Sequence, residues 1–156
     1  MKVSDILRVK GSALFTVSPD QPLSFAMETM AELNVGSLVV MEHGDLVGML
    51  TFREAIAAVV KNGGTVGTTL VRSVMDDCPV TCTPETDMDE VRRIMLEHHT
   101  RYMPVLSQKV LLGVMSFYDV AKAVVDAQDF ENRMLKAYIR DWPVDEATAP
   151  APLSVK

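Results

Sequence analysis

Two short stretches carry the residue types from which a binding site can be built. One is Gly48-Met49-Leu50-Thr51-Phe52-Arg53-Glu54, the other Gly113-Val114-Met115-Ser116-Phe117-Tyr118-Asp119. Each runs glycine, two apolar residues, a hydroxyl, two further residues and an acid. The hydroxyl falls where an apolar run gives way to helical spacing, beside first-turn N–H groups that have no helical partner. Those donors and the positive end of the helix dipole suit an anion such as phosphate. A carboxylate one turn later can accept two hydrogen bonds from vicinal hydroxyls, as a ribose offers. The glycine leaves room for a ligand or for another backbone. The same spacing also satisfies a capping box, which needs no ligand. Spacing alone leaves both readings open.

The two stretches are one part of a longer repeat. Leu14–Val60 lies over Pro79–Val125 without a gap, with Thr16 on Thr81, Pro19 on Pro84, Met30 on Met95, Gly48 on Gly113 and Phe52 on Phe117. Upstream, Val3–Leu7 matches Val71–Met75, and the first copy carries three extra residues before the gapless match begins. A unit this long is too large for a single-hairpin solenoid repeat. Two copies predict one pseudo-symmetric body with matched clefts on either side of its internal axis.

Each copy reads strand, helix, strand, strand, helix. In the second, Pro79–Thr83 is a short alternating run, and Thr86 with Asp89 has the spacing of a helix cap. Met88, Val91 and Met95 share one face at helical spacing, with Arg92, Arg93 and Glu97 facing away. The first copy has Pro22 near its helix start, with Leu23, Met27, Met30 and Ala31 as the buried face. Hairpins are expected from Ser37–Met41 with Leu46–Leu50, and from Tyr102–Leu106 with Val110–Met115. Their apolar character predicts sheets covered on both faces. Pro104 lacks a donor N–H and should mark an edge or a bulge. Helices follow over Phe52–Val60 and Phe117–Ala127, with a further amphipathic helix over Asp129–Arg140 stopped by Trp142-Pro143. The expected division is residues 1–66 for the first unit, 67–127 for the second, 128–143 for a C-terminal helix and 144–156 for a flexible tail. The fold class is α/β in the α+β sense: two pseudo-symmetric units, each a small sheet packed with helices.

Composition narrows the function. A chain of 156 residues can bury about 70% of its unfolded surface and needs no staples. A formal net charge of −6 argues against a nucleic-acid surface, which needs clustered Lys and Arg. No stretch approaches the ~18 apolar residues of a membrane span, and Met1–Leu7 does not read as a signal peptide. Cys78 and Cys82 make no disulfide framework, so the expected location is cytoplasmic. These cysteines with His98 and His99 fit no strong zinc spacing, and no metal site is expected. The eleven methionines recur at apolar positions and read as core filling. No nucleophile stands beside a base and no Walker-type phosphate loop is present, so the chain does not read as an enzyme.

In order and duplicated, these motifs resemble a tandem of cystathionine β-synthase (CBS) domains, the Bateman module, in its small stand-alone bacterial form. Gly36-Ser37-Leu38-Val39-Val40 resembles the family's first-copy GALVV. Arg101-Tyr102-Met103-Pro104-Val105 resembles its second-copy RHLPV, and Val71–Met75 its leading V-x-D-I/V-M. The resemblance covers residues 1 to about 143. There are departures: Glu54 stands for the usual Asp, Phe52 for a frequent Glu, and Tyr102 for a common His. They fall mostly on the first-copy motif, so the Ser116/Asp119 site is expected to be the stronger.

The resemblance implies a regulatory sensor of adenosine-containing ligands: AMP, ADP, ATP, NAD(H) or S-adenosylmethionine. It implies no required cofactor, with the nucleotide as regulator. It places Thr81, Met103 and Pro104 around one adenine, and Thr16, Leu38 and Val39 around the other. It makes Arg101 the phosphate partner of the Thr51/Glu54 site. Arg53 becomes the partner of the Ser116/Asp119 site, with Gly36 and Ser37 giving room, and Tyr102 counts among the nucleotide-binding residues. Two modules are expected to pair into a homodimer through Ala55–Val60 and Val120–Val125, with a protein target left unidentified. The alternative is a structural dimerisation or interaction module with degenerate, empty sites.

Overall fold

The structure is a computed structural model that describes residues 1–11 and 13–141. The expected helix stop at Trp142-Pro143 and the tail 144–156 lie outside the described residues. In chain order the elements are α1 (Val3–Lys10), β1 (Thr16–Val17), α2 (Leu23–Leu33), β2 (Ser37–Glu42), β3 (Asp45–Thr51), α3 (Phe52–Lys61), α4 (Val71–Val74), α5 (Met88–His98), β4 (Tyr102–Ser107), β5 (Val110–Ser116) and α6 (Phe117–Asp141). Residues Met1–Ala121 form one compact unit, and from Lys122 the described chain is the continuation of α6.

The repeat is visible at single-residue level. β2 pairs antiparallel with β3 and β4 with β5, with matching register irregularities at Val40/Met41 and Val105/Leu106. Both hairpins close on two residues, His43-Gly44 (φ 53° and 81°) and Gln108-Lys109 (φ 48° and 68°). Two left-handed residues in succession match the twist of the strands they join. α2 and α5 each end on a left-handed residue at matched positions, Asn34 and His99. The buried methionines Met30, Met49, Met95, Met103 and Met115 sit in the core.

Four expectations are corrected. The short strand over Pro79–Thr83 reduces to a single bridge, Cys82 to Val105. The cause is Pro104. In the first copy the Val39 N–H donates to Phe15 O at 3.0 Å, and Pro104, at the matching position, has no N–H to give. Second, α5 starts at Met88 with Asp87 as its cap residue. Thr86 instead accepts from the Thr83 N–H at 3.0 Å and closes the preceding turn. Third, Ala26 rather than Ala31 completes the buried face of α2. Fourth, α6 is one helix of 25 residues, not two. The first copy's helix runs into Asn62-Gly63-Gly64, whereas Asp126-Ala127-Gln128-Asp129 contains no breaker, and helical bonding continues.

The segments that precede the two copies are exchanged. α1, ahead of the first copy, docks on the second: Val3 N–H donates to Thr86 O, Ser4 N–H to Pro84 O, and Met88 N–H to Met1 O. α4, ahead of the second copy, docks on the first through the matching trio: Val71 N–H to Gln21 O, Arg72 N–H to Pro19 O, and Leu23 N–H to Thr69 O. Arg72 adds ion pairs to Glu42 and Asp20, which push its guanidinium pKa up.

The repeat glycines are the seats for these segments. A Cβ on Gly48 would stand 2.7 Å from Asp76 O and 2.9 Å from Met75 Sδ; one on Gly113 would stand 2.8 Å from a Leu7 methyl. Of the two uses open to these glycines, the structure shows close approach of protein, Met75 and Leu7 occupying matched places. Backbone cannot step aside as a leucine methyl can. Gly48→Ala should therefore destabilise the protein by about 1–3 kcal/mol, and Gly113→Ala by less. Urea unfolding checks this; equal midpoints for the two variants would contradict it.

Candidate functional site

Ser116 ends β5 and Phe117 starts α6, so the side chain of Ser116 meets the first free N–H groups of the helix. Its Oγ accepts from the Asp119 N–H at 3.1 Å, and Asp119 Oδ2 accepts from the Ser116 N–H at 2.9 Å. This is a complete capping box. The first copy differs. Thr51 Oγ1 accepts from the Arg53 N–H at 3.2 Å, and its hydroxyl donates to Glu54 Oε2 at 2.5 Å. The Glu54 carboxylate, one methylene further out, bonds the hydroxyl where Asp119 bonds the backbone.

Asp119 has a second partner that the sequence reading missed. Lys10 Nζ, at the end of α1, lies 2.7 Å from Asp119 Oδ2 and donates to Val114 O at 2.7 Å. The Asp119 side chain is only 12% exposed. The signal was present in the three extra residues of the first copy. α1 has 8 residues where α4 has 4, about one added turn, and that turn ends on Lys10.

Two clefts flank these helix starts. The first, about 900 Å³, is walled by Phe15, Gly36, Ser37 and Val39 of the first copy and by Ser116, Phe117 and Tyr118 of the second, with Lys10 at its edge. The second, about 960 Å³, sets Thr51, Phe52, Arg53 and Glu54 of the first copy against Cys78, Pro79 and Val80 of the second. Both volumes fall in the range of small-molecule sites. The clefts are matched: each joins the helix start of one copy to the chain leading into the other copy's sheet. Arg101 and Tyr102 line both. The Tyr102 hydroxyl occupies the place a Cβ on Gly36 would take, so only glycine fits there without displacing the ring.

The predicted residues distribute unevenly. Gly36, Ser37, Val39, Arg101, Tyr102 and Ser116 line the first cleft, with Asp119 bonded to Ser116 and Lys10 beside it. Thr51, Arg53, Glu54, Arg101 and Tyr102 line the second. Arg53 thus shares a cleft with its own Thr51 and Glu54, whereas the resemblance pairs it with Ser116 and Asp119. Leu38 and Met103 are fully buried and Pro104 is buried; these three, the exposed Thr16 and Thr81, and Asp119 itself line neither cleft, Asp119 standing behind Ser116 through its bond to the Ser116 N–H. Among the described residues no three of His, Cys, Asp and Glu come together as a metal set.

This arrangement is that of a CBS pair. The family model for the CBS domain matches residues 3–61 and 71–126, and the chain belongs to that family. It is 30% identical over 147 residues to the CBS domain-containing protein CBSX3, mitochondrial, of Arabidopsis thaliana, covering 88% of this chain and 71% of that one. Its fold superposes with a TM-score of 0.76 on the CBS-domain containing protein ATU1752 from Agrobacterium tumefaciens, 31% identical, over 79% of this chain and 98% of that one. It also superposes, at TM-score 0.72 and 20% identity, on the CBS domain pair of protein MJ0100, solved in complex with 5′-methylthioadenosine and S-adenosyl-L-methionine, over 81% and 98%.

The two thiols sit in opposite surroundings. Cys78 is exposed on the second cleft, while Cys82 is buried and desolvation pushes its pKa up to about 11. Only the thiolate reacts. At pH 8 one thiol per native chain should react rapidly with a disulfide reagent and the second only in denaturant. Rapid reaction of both in the native protein would contradict the buried placement.

Proposed function

We propose that the chain is a regulatory sensor that binds an adenosine-containing ligand in the composite clefts between its two CBS units. The ligand is AMP, ADP, ATP or a related adenosyl compound such as NAD(H) or S-adenosylmethionine. One observation carries this reading: an acid of ribose-binding type, Asp119, stands at a helix start beside a 900 Å³ cleft built from both copies, with Arg101 in its wall. The ligands in the MJ0100 structure support the adenosyl class. The protein acts by binding rather than catalysis, in the cytoplasm, and hands its signal to a protein target. No helix among the described residues is long and apolar enough to cross a membrane.

A second reading has its own support. Both acids already bond a helix-start hydroxyl or N–H, and an empty-site interaction module needs no more of them. Calorimetry separates the two. On the sensor reading, Asp119→Ala weakens AMP binding by about tenfold or more, since a hydrogen bond to a charged group is lost. Arg101→Ala weakens AMP more than adenosine, which has no phosphate. Binding lost in Glu54→Ala but kept in Asp119→Ala would reverse the assignment of the stronger site. No saturable binding of any adenosine compound would favour the interaction module.

Either reading calls for a second copy of the chain. α3 exposes Phe52, Ile56 and Val60, and α6 exposes Val125, an apolar surface beyond scattered single residues. The module is proposed to pair as a homodimer through these faces. Light scattering should give twice the chain mass at micromolar concentration; a monomer with and without nucleotide would reject the pairing.

A further inference from the structure

The geometry points to Lys10 as the residue that makes the Ser116/Asp119 cleft select phosphorylated adenosyl ligands over neutral or cationic ones. This inference rests on the adenosyl-ligand reading above and deepens it.

The observations concern one carboxylate with more suitors than seats. Asp119 Oδ2 accepts from the Ser116 N–H at 2.9 Å and from Lys10 Nζ at 2.7 Å. A carboxylate oxygen offers about two lone-pair positions, so Oδ2 is full. A ribose diol bound bidentately needs both oxygens of the group. The Ser116 N–H is fixed by the backbone at the start of α6, but the ammonium rides on a flexible stem whose side chain is 38% exposed. The donor that yields is Lys10.

The pseudo-symmetry shows that this lysine is an addition to the common plan. In the first copy, Met49 and Asp76 exchange two backbone hydrogen bonds, each 2.9 Å. Val114 holds the position of Met49 in the second copy, and its carbonyl is met by Lys10 Nζ. The extra turn of α1 has replaced a backbone bridge with a charged side chain at the mouth of a ligand cleft.

A displaced ammonium at this half-exposed cleft wall exchanges its carboxylate for water unless another anion is at hand. A phosphate on the incoming nucleoside supplies it, and Arg101 lines the same cleft. Adenosine or 5′-methylthioadenosine offers the diol but no anion, so the ion pair is exchanged for hydration alone. A sulfonium ligand adds a like charge. In the second cleft Glu54 accepts from the Thr51 hydroxyl, and although Lys61 lines that cleft, no lysine among the described residues pairs with Glu54, so this route imposes no filter there.

The test compares AMP with 5′-methylthioadenosine, by calorimetry, in the full chain and in Lys10→Met. Titrations of Asp119→Ala identify which isotherm belongs to this cleft. The wild type should prefer AMP, and Lys10→Met should lower the AMP-to-methylthioadenosine affinity ratio about tenfold, with methylthioadenosine binding tighter than in wild type. Lys10→Arg, which keeps the charge, should retain the preference and guards against a folding artefact. An unchanged ratio in Lys10→Met, with both compounds still bound at this cleft, overturns the role of Lys10 and leaves the adenosyl reading standing. No binding of either compound by wild type and variant overturns both.

Discussion

Each copy's sheet is approached closely by a segment that belongs to the other copy, and two glycines permit it. Met75 presses on Gly48 and Leu7 on Gly113. Three backbone hydrogen bonds then lock each exchanged segment in register. This crossing makes two units of repeated sequence into one body. It also fixes the clefts, because the chain that leaves α1 or α4 becomes a wall of the cleft facing the other copy's helix start. Neither cleft belongs to one copy alone.

Function follows from what the crossing delivers to the clefts. The helix starts bring a hydroxyl and an acid, and the sheet of the opposite copy brings an apolar wall. Arg101 and Tyr102 stand where the two clefts meet and contribute to both. The plan is symmetric, but its chemistry is not. Glu54 bonds its neighbouring hydroxyl, while Asp119 bonds backbone and a lysine brought in from α1. The symmetric frame thus holds two clefts with unequal chemistry.

Much of this was legible in the sequence because repetition doubles the evidence. Strand and helix order, the hairpins, the buried faces of α2 and α5 and the glycine–hydroxyl–acid motif each appear twice. What could not be read was contact between distant residues. Nothing local to Lys10 indicates Asp119; only the extra turn of α1, seen against the shorter α4, does so. The resemblance sets Leu38 and Met103 beside adenine; both side chains are fully buried in the core. The break expected after Ala127 is absent because the breaking glycines, Gly63 and Gly64, follow only the first repeat.

The central claim is that one ligand touches both copies at once. Titration of AMP into uniformly ¹⁵N-labelled protein, followed by amide chemical shifts, tests it directly. The account predicts that Gly36 and Ser37 of the first copy and Ser116 to Asp119 of the second shift together along one saturation curve. Shifts confined to a single copy, or no shifts at saturating AMP, would contradict it.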